Sequence, residues 1–161
     1  MDRSLLMSQR LQQLFSLSGK TVLITGSSSG IGAALAVGLA EAGAIVGVHG
    51  RSAEKVAETC RQVGVAGGVG FVCTAYLAGG EACRQLMADA LAKLGRLDIL
   101  INCAGMNRRK PVDEVTPDDY DTIMAVNLRS IFFLCQAAHP YFKRQGGGKI
   151  INISSINSLY G

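Results

Sequence analysis

The chain has 161 residues, 48% hydrophobic and 17% charged, with a formal net charge of +4. That is the composition of one domain with a packed core, and it excludes a disordered chain. The longest basic run, Arg108-Arg109-Lys110, has no interleaved aromatic residues, and no run of 18 apolar residues occurs; neither a nucleic-acid partner nor a membrane helix is expected.

Residues 1–16 read as an N-terminal extension without an apolar signal core. From residue 17 to residue 161, apolar periodicity switches between strand-like and helix-like stretches, the pattern of βαβ units. Residues 21–25 (TVLIT) predict the first strand. Residues 30–42 predict a helix, with Ile31, Leu35 and Leu39 repeating every four positions. A second strand is predicted over 44–49 and a helix over 52–63, with Ser52 as N-cap. The third strand is predicted over 70–74. A third helix, over 80–94, carries Cys83, Leu86, Met87, Ala90, Leu91 and Leu94 on one stripe.

The fourth strand is predicted over 97–102. A long helix follows from Thr116-Pro117-Asp118-Asp119 to Arg144, with proline and acids suited to its first turn. Pro140 is expected to kink or interrupt it. Residues 149–153 predict the fifth strand. Strands apolar at nearly every position belong to a parallel sheet covered on both faces. The fold expected is therefore α/β, a Rossmann-like doubly wound sheet in the order 3-2-1-4-5, incomplete at its outer strands.

Five cysteines, at positions 60, 73, 83, 103 and 135, form no CxxC pair. They predict reduced thiols in a cytoplasmic protein and no metal site. His49 reads as the end of strand two, His139 as a helix residue, and Cys103 as packed rather than nucleophilic. Asn152-Ile153-Ser154 matches a glycosylation acceptor by chance, since a buried strand would not meet that enzyme.

The chemistry points to residues 25–32, TGSSSGIG, between the first strand and the first helix. Gly26 permits a tight turn, Gly30 a close approach of backbone to pyrophosphate, and Gly32 close packing of helix on sheet. Ile31 lies within the loop, and the hydroxyls of Ser27, Ser28 and Ser29 add donors. The helix N-terminus offers unpaired N–H groups to phosphates. An acid at the end of strand two would bind a ribose 2′-OH. Here the sequence is His49-Gly50-Arg51-Ser52, so Arg51 points to a 2′-phosphate and to NADP(H) rather than NAD(H). The alternative is a solvated loop arginine.

Four blocks together resemble the short-chain dehydrogenase/reductase family: Thr25 to Gly32, Asn102-Cys103-Ala104-Gly105, Val126-Asn127, and Ile151-Asn152-Ile153-Ser154-Ser155. The resemblance implies that Ser155 polarises a carbonyl or alcohol and that Asn127 holds a water of a proton relay. It implies that Asn102, Ala104 and Gly105 lie near the cofactor ribose, although Asn102 reads equally as a strand-joining residue. It further implies a small-molecule substrate and, for the complete protein, a homo-oligomer such as a tetramer. Two departures stand out. Tyr76-Leu77 occupies the place where the family usually has an aspartate near adenine. The family's YxxxK pair is absent after Ser155; Tyr160 lies too close to it, and no lysine follows. The expectation is that these residues belong to a longer enzyme and that alone they bind nucleotide without turnover. Residues 105–111 resemble a loop of sugar-acid dehydrogenases such as gluconate 5-dehydrogenase and 2-deoxy-gluconate 3-dehydrogenase. That likeness assigns Arg108 or Arg109 to a substrate carboxylate and Asn157 to a sugar hydroxyl. The alternatives are a 3-oxoacyl-thioester reductase and a non-catalytic nucleotide-binding module.

Overall fold

In the computed structural model, which describes residues 13–155, the five apolar segments pair as one parallel sheet. Its strands are β1 Thr21–Thr25, β2 Ile45–Gly50, β3 Val69–Thr74, β4 Ile99–Asn102 and β5 Lys149–Asn152. Their order is β3-β2-β1-β4-β5, as expected from the doubly wound pattern. β1 is central, with all of its residues buried. Ile24 stands beside Val48 on one side and Ile101 on the other. Consecutive side chains point to opposite faces, so β1 supplies two cores. Val22 and Ile24 pack with Val46, Val48, Ala36 and Val56 on one face. Leu23 packs with Leu86, Met87, Leu100 and Leu134 on the other.

The helices are α1 Gly30–Glu41, α2 Ala53–Val65, α3 Gly80–Leu94, α4 Pro117–Met124 and α5 Ser130–Arg144. Ser52 caps α2, its hydroxyl accepting from the Lys55 N–H at 3.3 Å. Thr116 and Asp119 form a reciprocal capping box on α4 with Pro117 in the first turn, as the spacing anticipates. The expected stripe of α3 is buried at Cys83, Leu86, Met87, Ala90 and Leu94.

Three expectations are corrected. α1 buries Gly32, Ala36 and Ala40, one position on from the stripe of Ile31, Leu35 and Leu39. Small residues let the helix lie close against the sheet, while the larger ones flank the contact and Ile31 is left 66% exposed. The single long helix is broken between α4 and α5 by a π-helical turn, Ala125–Arg129, in which the Ser130 N–H reaches the Ala125 carbonyl. No proline or glycine marks that turn, so the sequence carries no sign of it; such turns gather at functional sites. Pro140 does not interrupt α5, which runs on to Arg144. It lies on an exposed face with Gln136, where the carbonyl that loses its partner can meet water.

β4 begins two residues later than expected because Asp98 acts as a clamp below it. Its carboxylate accepts from the Thr21 N–H at 2.9 Å and the Thr21 hydroxyl at 3.1 Å, and Arg96 reaches it at 2.6 Å. β5 is the sheet edge among the described residues, with Ile150, Ile151 and Ile153 all exposed. No described helix is long and apolar enough to cross a membrane.

Leu100 has no exposed surface and sits in the middle of β4. Leu100→Ala is expected to cost about 2–5 kcal/mol, read as a lower urea midpoint with an unchanged slope.

Candidate functional site

The turn from β1 into α1 is enclosed by its neighbours. Gly26 has φ of +70°, and a Cβ there would lie 2.6 Å from the Ala104 Cα. Both the backbone conformation and the space exclude a side chain. The Thr25 hydroxyl draws Ala104 in, accepting from the N–H groups of Cys103 at 3.1 Å and Ala104 at 3.2 Å. A Cβ on Gly32 would collide with the Gly26 carbonyl, so α1 can start this close only with glycine there. Ser27 is buried and donates through its hydroxyl to the Ile24 carbonyl at 2.7 Å.

Ser29 is the N-cap of α1, yet its side chain makes no capping bond and the first turn holds no acid. The first N–H groups of the helix therefore keep their capacity, and their positive dipole end, for an anion. Gly30 has φ of +54° with open space where a Cβ would stand.

A cavity of about 370 Å³ opens at the carboxyl ends of the strands, at the point where winding reverses between β1 and β4. Gly26, Ser28, Ser29, Ile31 and Gly32 line it from the turn, and His49, Gly50 and Arg51 from the end of β2. Tyr76 and Leu77 follow β3; Cys103, Ala104, Gly105 and Met106 follow β4. Gly26, Ser28, Ser29, Ile31, Gly32, Arg51, Ala104 and Gly105 thus come together as the sequence implied. Asn102 does not join them. It is buried below the cavity, donating to Asn152 Oδ1 at 2.9 Å and Cys135 Sγ at 3.5 Å, and so ties β4 to β5 and α5.

His49 is the residue the sequence underrated. It is 2% exposed, and its Nδ1 accepts from the Gly26 N–H at 3.2 Å. That bond assigns the proton to Nε2, which has no well-formed partner among the described residues. Burial brings the pKa down to about 4, partly countered by the Ala75 backbone. The imidazole is neutral at ordinary pH. Burial likewise pushes up the Cys103 thiol, consistent with a packed, protonated side chain.

On the other side of the cavity, the π turn presents Asn127. Its carboxamide accepts from the Met106 N–H at 2.9 Å and donates to the Met106 carbonyl at 2.8 Å. The side chain thus braces the loop after β4, while its residue stays exposed and keeps one N–H and one oxygen lone pair for a further partner. Ser155 lies just beyond β5 and is exposed. Asn157 falls outside the described residues.

Arg108 and Lys110 are also committed. Arg108 reaches Asp119 at 2.8 Å and Asp118 at 3.2 Å, and Lys110 reaches Asp119 at 2.6 Å. Lys110, then Arg108, then the Thr116 bonds hold the Asp119 carboxyl far below the usual carboxylate range. Of the two arginines considered for a substrate carboxylate, Arg109 is exposed and makes no ion pair among the described residues.

The family model for short chain dehydrogenases matches residues 20–161. The chain belongs to the short-chain dehydrogenase family. It is 42% identical over 149 residues to 2-dehydro-3-deoxy-D-gluconate 5-dehydrogenase of Escherichia coli (strain K12), covering 91% of this chain and 58% of that protein. A crystal structure of gluconate 5-dehydrogenase from Burkholderia cenocepacia J2315, in complex with NADP and tartrate, superposes with a TM-score of 0.84 at 40% identity, covering 92% of this chain and 58% of that one. A 3-oxoacyl (acyl-carrier-protein) reductase from Agrobacterium tumefaciens C58 with NADP bound gives 0.88 at 37% identity, covering 95% and 59%. The chain therefore spans less than two thirds of the length of these relatives. Within this family member, His49 and Asp119 organise the site without belonging to a recognised block, and Thr25, which opens the first block, does so through contacts the motif alone does not assign. His49 left its own trace in sequence: a lone imidazole inside an apolar strand needs a polar partner, and the glycine turn is the nearest irregular backbone.

Between pH 6.5 and about 4, an unfolded chain takes up a proton at His49 that the folded protein does not. The His49 contribution to stability is therefore expected to fall as pH drops through that window, by on the order of 3 kcal/mol, with the depressed Asp119 and Asp98 carboxyls continuing the loss at lower pH. Urea midpoints against pH should show this slope in the wild type and lose it in His49→Phe.

Proposed function

We propose that this chain is the nucleotide-binding portion of an NADP(H)-dependent oxidoreductase that interconverts a secondary alcohol and a ketone, with a sugar acid as substrate. The observation that carries the cofactor reading is Arg51, exposed on the cavity wall at the end of β2 where no carboxylate stands. A guanidinium there suits a 2′-phosphate, which a carboxylate would repel. The uncapped start of α1 suits the pyrophosphate, and the exposed face of Tyr76 offers a surface for the adenine. When bound, the nicotinamide supplies the carbon that gives or takes a hydride.

The chain's own contribution is placement. Thr25 and Gly26 hold the dinucleotide turn against Ala104. Asn127 fixes the loop after β4 by gripping Met106. Ser155, just beyond β5, would donate a hydrogen bond to the substrate oxygen. Proton transfer requires an acid/base whose pKa is brought toward working pH. The YxxxK arrangement that would provide it is not in this sequence, so for these 161 residues alone the proposal is nucleotide binding without turnover.

The substrate reading rests on Arg109. With Arg108 and Lys110 paired to Asp118 and Asp119, it is the cation of this loop left to meet a carboxylate. The E. coli and Burkholderia relatives act on sugar acids by their names, and the latter is complexed with tartrate. A 3-oxoacyl-thioester reductase would use the Arg108–Lys110 cluster for a phosphopantetheine carrier, and two of its three cations are already paired. A homo-oligomer belongs to the same proposal, supported by Tyr120, Leu128 and Phe132, each about 60% exposed along α4, the π turn and α5.

Two measurements test these assignments. Arg51→Ala is expected to weaken NADPH roughly ten- to hundredfold, the scale of a hydrogen bond to a charged group, while leaving NADH within twofold; equal binding of both before and after the change would overturn the 2′-phosphate reading. In the full-length enzyme, Arg109→Ala is expected to raise KM for hydroxy acids about tenfold or more, with uncharged polyols unaffected. Arg108→Ala should instead lower Tm by a few degrees and leave KM alone.

A further inference from the structure

The ladder between β1 and β2 has its last rung at Ile24 and Val48. β1 then turns away at Gly26, while β2 runs on through His49 and Gly50, held by β3 opposite Cys73 and Thr74. The overhang and the turn are joined by three hydrogen bonds, all to residue 49. The Ser27 N–H donates to the His49 carbonyl at 2.8 Å. The His49 N–H donates to Ser27 Oγ at 2.8 Å, and the Gly26 N–H donates to His49 Nδ1 at 3.2 Å. The first two use the backbone of residue 49, so any residue there would make them. The third needs an acceptor at the δ position of the side chain. It satisfies an amide whose own strand has ended, at the residue with φ of +70° that shapes the turn.

We propose that His49 is a positioning residue of the dinucleotide turn: its neutral imidazole, accepting through Nδ1 from the Gly26 amide, fixes the conformation in which the turn meets the cofactor's phosphates. This rests on the cofactor reading above. A protonated ring would present N–H to N–H, so the bond requires the neutral form. The next residue extends the same clamp. A Cβ on Gly50 would lie 2.6 Å from Ser28 Oγ, so the overhang also sets the place of a hydroxyl that lines the cavity.

The side chains of asparagine and glutamine separate this role from bulk. Asparagine places an oxygen where histidine has Nδ1; glutamine places its polar atoms one bond further out; phenylalanine keeps the ring and removes both nitrogens. NADPH and adenosine 2′,5′-bisphosphate are titrated into wild type, His49→Asn, His49→Gln and His49→Phe, and Gly26 amide exchange is followed by NMR without nucleotide. His49→Asn is expected to bind within twofold of wild type. His49→Gln and His49→Phe are expected to bind roughly three- to tenfold more weakly, the scale of one net hydrogen bond, with faster Gly26 exchange. Unchanged binding in both of the latter would overturn the proposal, and so would a loss in His49→Asn equal to that in His49→Phe. If wild type binds no nucleotide, the cofactor reading fails instead; equal Gly26 exchange in His49→Asn and His49→Gln then overturns the clamp on its own.

Discussion

A strand that ends against two neighbours leaves its next backbone groups without ladder partners, and here that happens at the carboxyl end of β1. The Gly26 amide turns to His49, the Ser27 amide and hydroxyl take over the pairing with β2, and the Thr25 hydroxyl does the same for Cys103 and Ala104 on the β4 side. Because each bond replaces a missing rung, the turn is set by the strands on either side of it. The position of Ala104 then leaves no room for a side chain at residue 26. Cavity, helix start and glycine spacing all follow from this one closure.

Charge is distributed around that closure by a consistent rule. At the cavity, cations and N–H groups are left unclaimed among the described residues: α1 has no side-chain cap and no acid in its first turn, and Arg51 stands exposed on the cavity wall. Where the loop after β4 must be held, cations are consumed. Asp119 gathers Lys110, Arg108 and the Thr116 N–H and hydroxyl around one carboxylate. A basic triplet that looks uniform in sequence is thus divided into two structural cations and one that faces solvent. Both paired cations keep about 38% of their side chains exposed, so the pairing orients them toward Asp119 rather than removing them from water.

Much of this was readable beforehand, for reasons tied to particular residues. TVLIT and the other apolar runs announce strands, buried on both faces at β1 and β4 though not at β5, the edge of the described sheet, and alternation with helical stretches leaves the doubly wound order as the natural topology. Ser52 and the Thr116–Asp119 pair announce helix starts because capping is local chemistry. The glycines at 26, 30 and 32 announce the turn because few other residues adopt its conformation. The π turn at residues 125–129, the unbroken helix through Pro140, and the one-residue shift of the buried stripe on α1 were not announced. Each depends on what packs against the helix, and local propensity is blind to that.

The division between the two kinds of information follows the range of the interaction. Sequence alone determined the strands, the caps, the glycine turn and the presence of Arg51 without an acid beside it, since these depend on steric limits and hydrogen bonds within a few residues. Only the tertiary structure decided which side chains are free. Residues 26 and 49, 25 and 104, and 106 and 127 meet only when the sheet brings them together. Asn102, Asn127 and Arg108 looked available in sequence and proved to be engaged, and His49 looked inert and proved to hold the turn. The physical reason is that a hydrogen-bonding group's role is set by its partners, and those partners lie about 10 to 80 positions away along the chain.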